Sequence, residues 1–132
     1  MYSKITNGIE VTVIPYFLIE QSSPNDNHFV WAYQVTIKNM RKNVIKLKER
    51  NWIIIDANGK ISNIHGDGVV GEFPILKPGE VFEYTSGTPL NTDNGIMQGF
   101  YTVTQQDTGT PLKIDIPTFS LDSPYNKDKF IN

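Results

Sequence analysis

The segment from His65 to Glu72 has the sequence HGDGVVGE and combines three glycines with an imidazole and two carboxylates. Its glycines have the GxGxxG spacing, which binds a pyrophosphate when it ends a strand and opens a helix whose N-terminal amides face the phosphates. The residues that follow disfavour a helix, because Pro74 and Pro78 lack the backbone donors that a helix needs. The loop is therefore predicted to belong to a fold other than a dinucleotide-binding domain.

Two interpretations of this glycine loop (residues 66–72) remain open. In the first, its glycines let successive amides converge on an anion, and a divalent ion bridges that anion to a carboxylate. The candidate ligand-binding residues are then Gly66, Asp67, Gly68, Gly71 and Glu72. The two carboxylates oppose phosphate binding, and the loop contains no lysine or arginine. In the second, which we favour, the glycines permit positive φ angles in a tight connection between two sheets.

Other chemistry finds little support in the residue types and spacings. His65, Asp67 and Glu72 lie within eight residues, and Asp26 and His28 form a second pair, but neither group has a recognised metal-ligand spacing. The chain has no nucleophile elbow, HExxH motif, P-loop or thiol. We therefore predict no catalytic residue, no metal ligand and no cofactor, and expect a protein that is not an enzyme.

The composition limits the partners and the compartment. The 132 residues suit a single domain, residues 1–132, and the net charge of −2 argues against nucleic-acid binding. No run approaches the ~18 apolar residues of a membrane span, and the N-terminus lacks the apolar stretch of a secretory signal. The absence of cysteine agrees with a cytoplasmic location.

Period-two alternation predicts an all-β fold. Its clearest example runs from Phe29 to Lys38, where aromatic and β-branched residues alternate with polar ones, so this is a half-buried central strand. Asn58-Gly59 between two apolar runs predicts a hairpin. Seven or eight strands with Gly, Pro and Asn turns indicate an antiparallel β-sandwich. We expect the tail, residues 123–132, to be loosely held.

The strand from Val44 to Asp56 contains a conflict of parity. Lys46, Lys48 and Arg50 share one face with Trp52, which should be buried, and a bulge near residues 49–51 would resolve the conflict. The cationic residues are interpreted as a solvated face or a protected edge, with an anionic partner as the alternative.

Adjacent aromatic residues raise the question of a protein contact. Phe100 and Tyr101 must point to opposite faces of their strand, so one of them lies outside the core. An exposed aromatic residue is compatible with a protein-binding patch or a homodimer contact, and equally with cover by a loop or the tail.

Motifs in order along most of the chain resemble the ApaG family. They comprise GDGVVGE at residues 66–72, then Pro74, Leu76, PGE at 78–80, Phe82, Tyr84, SG at 86–87, Gly95, Met97, Gly99, Tyr101 and IPTFSL at 116–121.

This resemblance implies an immunoglobulin-like, fibronectin type III-like sandwich and a binding module whose protein partner is unknown. It also implies an indirect link to cobalt resistance and magnesium efflux. A pyrophosphate-binding role proposed for the family maps onto Gly66, Gly68 and Gly71, and a dinucleoside polyphosphate is the corresponding alternative ligand.

Overall fold

The structure is a computed structural model that describes residues 1–126. Nine strands form it: β1 (Tyr2–Thr6), β2 (Ile9–Phe17), β3 (Phe29–Asn39), β4 (Ile45–Asp56), β5 (Ile61–Asp67), β6 (Ile75–Leu76), β7 (Val81–Leu90), β8 (Gly95–Gln105) and β9 (Pro111–Leu121). Two short 3₁₀ turns, Ile19–Gln21 and Pro24–Asp26, lie between β2 and β3. No helix within these residues has the length and apolar character of a bilayer span.

The strands pair into two antiparallel sheets. One has the order β1-β2-β3-β7 and the other β5-β4-β8-β9, with β6 also paired to β4. The predicted antiparallel β-sandwich is therefore confirmed, while the immunoglobulin-like or fibronectin type III-like subclass stays a prediction. The strands that exceed the expected seven or eight are β1, whose three central residues are exposed and so give no inward stripe, and the two-residue β6.

The core lies between the sheets and is rich in aromatic side chains. Every second residue of β3 from Phe29 to Asn39 is buried, which confirms the predicted central strand. Tyr33 packs on Trp52 of the opposite sheet with ring centroids 5.2 Å apart, and Phe119 lies 6.1 Å from both rings. Burial of such large apolar surfaces is the main stabilising term of the fold.

A bulge in β4 changes which of its residues face the core. Ile45 and Leu47 are buried before the bulge, and Trp52 and Ile54 after it, so the inward parity switches from odd to even. The pairing with β8 shifts between Leu47 and Glu49, which makes Lys48 the extra residue. The predicted bulge is therefore present one residue earlier than expected. Arg50, two residues before Trp52, is placed on the inward side.

The two sides of the sandwich differ. On one side β1 covers β9: the ammonium of Lys4 lies 3.1 Å from the Asp115 carboxylate, and Asn7 Nδ2 donates to the Lys113 carbonyl at 2.8 Å. On the other side the edge strands are β5 and β7, and each pairs with a single neighbour among the described strands. We call this second side the open side.

The beginning of the tail is packed. Ser123 is buried and donates to the Asp93 carbonyl at 2.6 Å, and the Tyr125 ring lies 5.9 Å from that of Phe17. A buried hydroxyl and an aromatic contact therefore hold residues 123–126 against the sandwich, and the looseness of the tail stays a prediction. The rest of that prediction, residues 127–132, lies outside the described residues.

The adjacent residues Phe100 and Tyr101 point to opposite faces of β8, as predicted. Tyr101 is fully buried, whereas Phe100 lies on the outer face with the Lys113 ammonium 4.4 Å from its ring centroid. A cation–π contact thus partly covers the outer ring. Tyr101 hydrogen bonds through its hydroxyl to that of Tyr84 across the core.

The buried tyrosine pair predicts a loss of stability in alkali. Burial raises the pKa of Tyr84 and of Tyr101 above the ordinary value of 10.0, so the folded chain keeps protons there that the unfolded chain releases. Because the unfolded state then binds fewer protons, the free energy of unfolding should fall as pH rises above 10. Urea titrations of the Tyr84→Phe variant should show a fall shallower by about 1.4 kcal/mol per pH unit. Below pH 9 the free energy of unfolding should depend on pH in the same way in the wild type and the variant. Equal slopes above pH 10 would contradict the assignment of the alkaline loss to the buried tyrosines.

Candidate ligand site at the open side

The glycine loop contains a two-residue hairpin turn and no helix. Val69 and Glu72 exchange backbone hydrogen bonds of 2.8 and 2.9 Å. Between them Val70 and Gly71 have φ angles of 44° and 78°. Positive φ at both central residues is the pattern of a type I′ turn, in which glycine is favoured at the second position.

The loop connects β5 to β6, and both of these strands pair with β4. The expected connection between the two sheets at residues 66–72 is therefore wrong. After the glycine loop, the chain first crosses to the other sheet at residues 77–80, between β6 and β7. The hairpin turn explains the difference, because it is a local excursion after which β6 continues in the direction of β5 and pairs again with β4.

Each of the three glycines has a structural reason. A Cβ at Gly66 would lie 2.7 Å from Nη2 of Arg50, which faces it across the β4–β5 pair. A Cβ at Gly68 would lie 2.2 Å from the Glu72 carbonyl oxygen, and its φ is 62°. Gly71 has open space around it but a φ of 78°, as the turn requires.

Three amides of the loop are already hydrogen bonded to backbone carbonyls. Gly68 N–H donates to the Lys48 carbonyl at 2.8 Å, and those of Val69 and Glu72 serve the turn. Among the described residues, this leaves Val70 and Gly71 as the remaining donors of the turn. The geometry therefore favours the conformational interpretation of the glycines over a cradle built from loop amides alone.

The titratable side chains in and beside the glycine loop are either exposed or bound to residues outside the loop. Asp67 and Glu72 are exposed. His65 has Nδ1 2.6 Å from Asn51 Oδ1 and Nε2 3.3 Å from a Glu49 carboxylate oxygen. In residues 1–126 no group of three or more His, Cys, Asp or Glu side chains is arranged to hold a metal ion.

A pocket of about 230 Å³ opens between β5 and β7, directly beside the glycine loop. We call it the Arg50 pocket, since Arg50 is the charged residue in its lining. The lining residues that carry polar side-chain groups are Arg50, Ser86, Thr88, Tyr33 and Tyr84. Its apolar lining comes from Trp52, Ile54, Ile64, Val69, Val70 and Met97, with Gly87 at the edge.

The Arg50 guanidinium binds the loop through backbone carbonyls. Its Nη1 donates to the carbonyl oxygens of Asp67 and Gly68 at 2.8 and 3.0 Å. No described carboxylate lies within 4 Å of it, and Nε and Nη2 have no hydrogen-bond acceptor in residues 1–126. A guanidinium has five N–H donors, so three remain available.

The Arg50 charge affects the pKa of a neighbouring tyrosine. Burial raises the pKa of Tyr33, and both the Ser86 hydroxyl and the Arg50 charge oppose that rise. The pocket thus holds one cation together with neutral hydroxyl donors. An arginine surrounded by hydroxyl groups is a typical arrangement for binding a carboxylate or phosphate oxygen.

The sequence analysis did not predict a cation beside the glycine loop, and Arg50 is the main site residue that it missed. The sequence did contain a signal for this cation: Arg50 lies two residues before Trp52 and so shares its core-facing side of the strand. An arginine on that side needs polar surroundings for its charged group. Spacing within residues 66–72 could not reveal it, since Arg50 reaches the loop through the strand pairing.

Comparisons with known proteins agree with this architecture. The family model described as ApaG domain matches residues 19–105. Protein ApaG of Paramagnetospirillum magneticum is 54% identical over 129 residues, covering 98% of both chains, and that of Rhodospirillum centenum is 47% identical with the same coverage. The chain belongs to the ApaG family.

A crystal structure provides an independent comparison. That of an ApaA protein from Bordetella pertussis superposes with a TM-score of 0.85 at 40% identity, covering 89% of this chain and 95% of that one. The ApaG domain match includes the glycine loop and all of the residues that line the Arg50 pocket. Loop and pocket therefore both lie within the segment that defines the family.

The turn geometry predicts opposite effects of two substitutions. Val70 is β-branched and has a positive φ, which costs a non-glycine residue about 1–2 kcal/mol. Val70→Asn should therefore stabilise the fold by about 1 kcal/mol in thermal unfolding, because Asn is favoured at this turn position. Gly68→Ala should destabilise it by about 2–4 kcal/mol, since the Cβ meets a backbone carbonyl.

Val81→Asn is the matched control, because Val81 is another exposed valine, at 48% against 55% for Val70, and it lies in a strand without positive φ. It should give no stabilisation. A Val70→Asn variant that melts below the wild type would show that the turn holds Val70 without strain.

Proposed function

We propose that this chain acts as one non-catalytic binding domain and that its partner is another protein, bound at the open side. The observation that carries the proposal is that the outer edges of β7 and β5 are unpaired within residues 1–126: the ten residues of β7 and the seven of β5 flank the Arg50 pocket. An exposed edge strand offers backbone N–H and C=O groups to an added strand.

Exposed apolar residues on the same side support this proposal. Ile61 and Ile64 in β5 and Val70 in the turn are exposed, and so are Phe73 and Ile75 beyond it. The Lys46 ammonium lies 5.8 Å from the Phe73 ring centroid. A surface that mixes apolar and aromatic groups with a few cations is typical of a protein interface.

The implied relation to cobalt and magnesium is proposed to be indirect. The space between the sheets is filled by a continuous core of side chains, so the domain itself offers no path for an ion. We propose that the domain acts in the cytoplasm and that a divalent cation influences it through the protein that it binds.

Capture from cytosol tests the protein-binding proposal. The immobilised chain should retain a specific protein in Mg²⁺ or Co²⁺ buffers. Hydrogen exchange of the complex should then show slower exchange at β7 amides that do not pair with β3. Protection confined to β1 and β9 would contradict the location, and a domain that captures nothing specific in either buffer would contradict the function. Sedimentation of the free chain detects the homodimer, whose formation through β7 would protect the same amides without a partner.

A receptor for pyrophosphate or a dinucleoside polyphosphate at the glycine loop is the second candidate. Arg50 favours it, because the strand pairing brings to the loop the cation that residues 66–72 lack. The pocket is smaller than the 300–1,000 Å³ usual for ligand sites, so any nucleoside groups would lie outside it.

Calorimetric titration tests this second candidate. Pyrophosphate, ATP and diadenosine tetraphosphate, each with and without Mg²⁺, should release or absorb heat with the wild type and much less with Arg50→Gln. If no heat is measured at millimolar ligand, the binding free energy is weaker than about −4 kcal/mol, and the receptor function is contradicted.

A further inference from the structure

We propose that the Arg50 pocket receives an acidic side chain, Glu or Asp, from an extended protein segment that pairs with the free edge of β7. The inference rests on the proposed protein-binding function and names the chemistry of the partner. It is carried by three observations: the unused donors of Arg50, the polarity of the pocket, and the position of the pocket along β7.

The guanidinium has donors to spare but is already held in position. Nη1 is fixed by two loop carbonyls, and Gly66 leaves room for the group to lie flat over the β5 backbone. Nε–H and the Nη2 hydrogens remain without acceptors in the described chain. A carboxylate accepts two parallel N–H groups of this kind, which adds geometric specificity to the charge attraction.

The pocket has the mixed lining that suits an acidic side chain. Its only charged lining residue among residues 1–126 is Arg50, so no carboxylate of this chain neutralises it there. Val69, Val70 and Ile64 can contact the methylene groups, while Ser86 and Thr88 offer hydroxyls near the carboxylate. The volume of about 230 Å³ fits one side chain better than a whole small-molecule ligand.

The pocket lies beside the middle of an edge strand. Ser86 and Thr88 reach it from β7 with Tyr84 below them, and all three belong to the inward-facing set of that strand. A strand added to β7 would continue the same alternation and direct every second side chain toward the interior. Pro89 restricts pairing near the end of β7, so the segment would extend from there toward Val81.

A peptide library tests the proposal directly. We would prepare N-acetylated, C-amidated fluorescent octapeptide pools that contain no acidic residue except at one central position, occupied by Glu, Asp, Gln or Asn. Fluorescence anisotropy should show the wild-type chain binding the Glu or Asp pool about tenfold or more tightly than its amide counterpart. Arg50→Gln should abolish that preference.

Two further variants separate recognition from folding and from general charge. Gly66→Ala keeps the charge but displaces the guanidinium, because the new Cβ meets the far end of a flexible side chain, and it should reduce the acidic preference. Lys42→Gln makes the same charge change as Arg50→Gln at an exposed residue outside the pocket and should preserve the acidic preference.

The outcomes distinguish this inference from the proposed function. Tight binding of all pools without an acidic preference, or a preference lost equally in Lys42→Gln, would overturn the role of Arg50 and leave a protein-binding domain in place. Peptide pools that fail to bind, together with pyrophosphate binding that Arg50→Gln removes, would assign the pocket to a small anion and overturn both.

Discussion

The inward orientation of Arg50 depends on the bulge at Lys48, and most features of the open side depend in turn on that orientation. Without the extra residue, a strand with Ile45 and Leu47 buried would turn residue 50 outward. With it, the guanidinium lies between the sheets, where it needs hydrogen-bond acceptors. The carbonyls of Asp67 and Gly68 supply two of them.

This contact links the arginine to the glycine pattern. Gly66 leaves space for the guanidinium, whereas Gly68 avoids the Glu72 carbonyl and Gly71 completes the turn. Two separate constraints, a side chain that lies over a strand and a type I′ hairpin, therefore produce the GxGxxG spacing here. The same spacing in a dinucleotide-binding fold has another cause, since there the glycines bring backbone amides close to a pyrophosphate.

The sequence was most informative where a local pattern decides the structure. Alternation from Phe29 identified β3, Asn58-Gly59 identified the β4–β5 hairpin, and the parity conflict before Trp52 identified the bulge. It was least informative where strand pairing decides. β1 has no inward stripe, since only its two end residues are half-buried, so alternation does not reveal its pairing with β2. The return of the chain onto β4 depends on a turn that glycines alone do not specify.

The candidate site shows the same division. Residues 66–72 were recognisable as a special loop from their composition, but their chemistry depends on a residue sixteen positions from the first glycine. Register brings Arg50 opposite Gly66, and the sheet order makes β5 and β7 the edge strands on the same side among the described strands. Neither register nor sheet order can be read from spacing. For the proposed protein partner, a cation between the two edge strands adds selection by charge to selection by shape, because a partner that leaves the cation without a counter-ion is penalised.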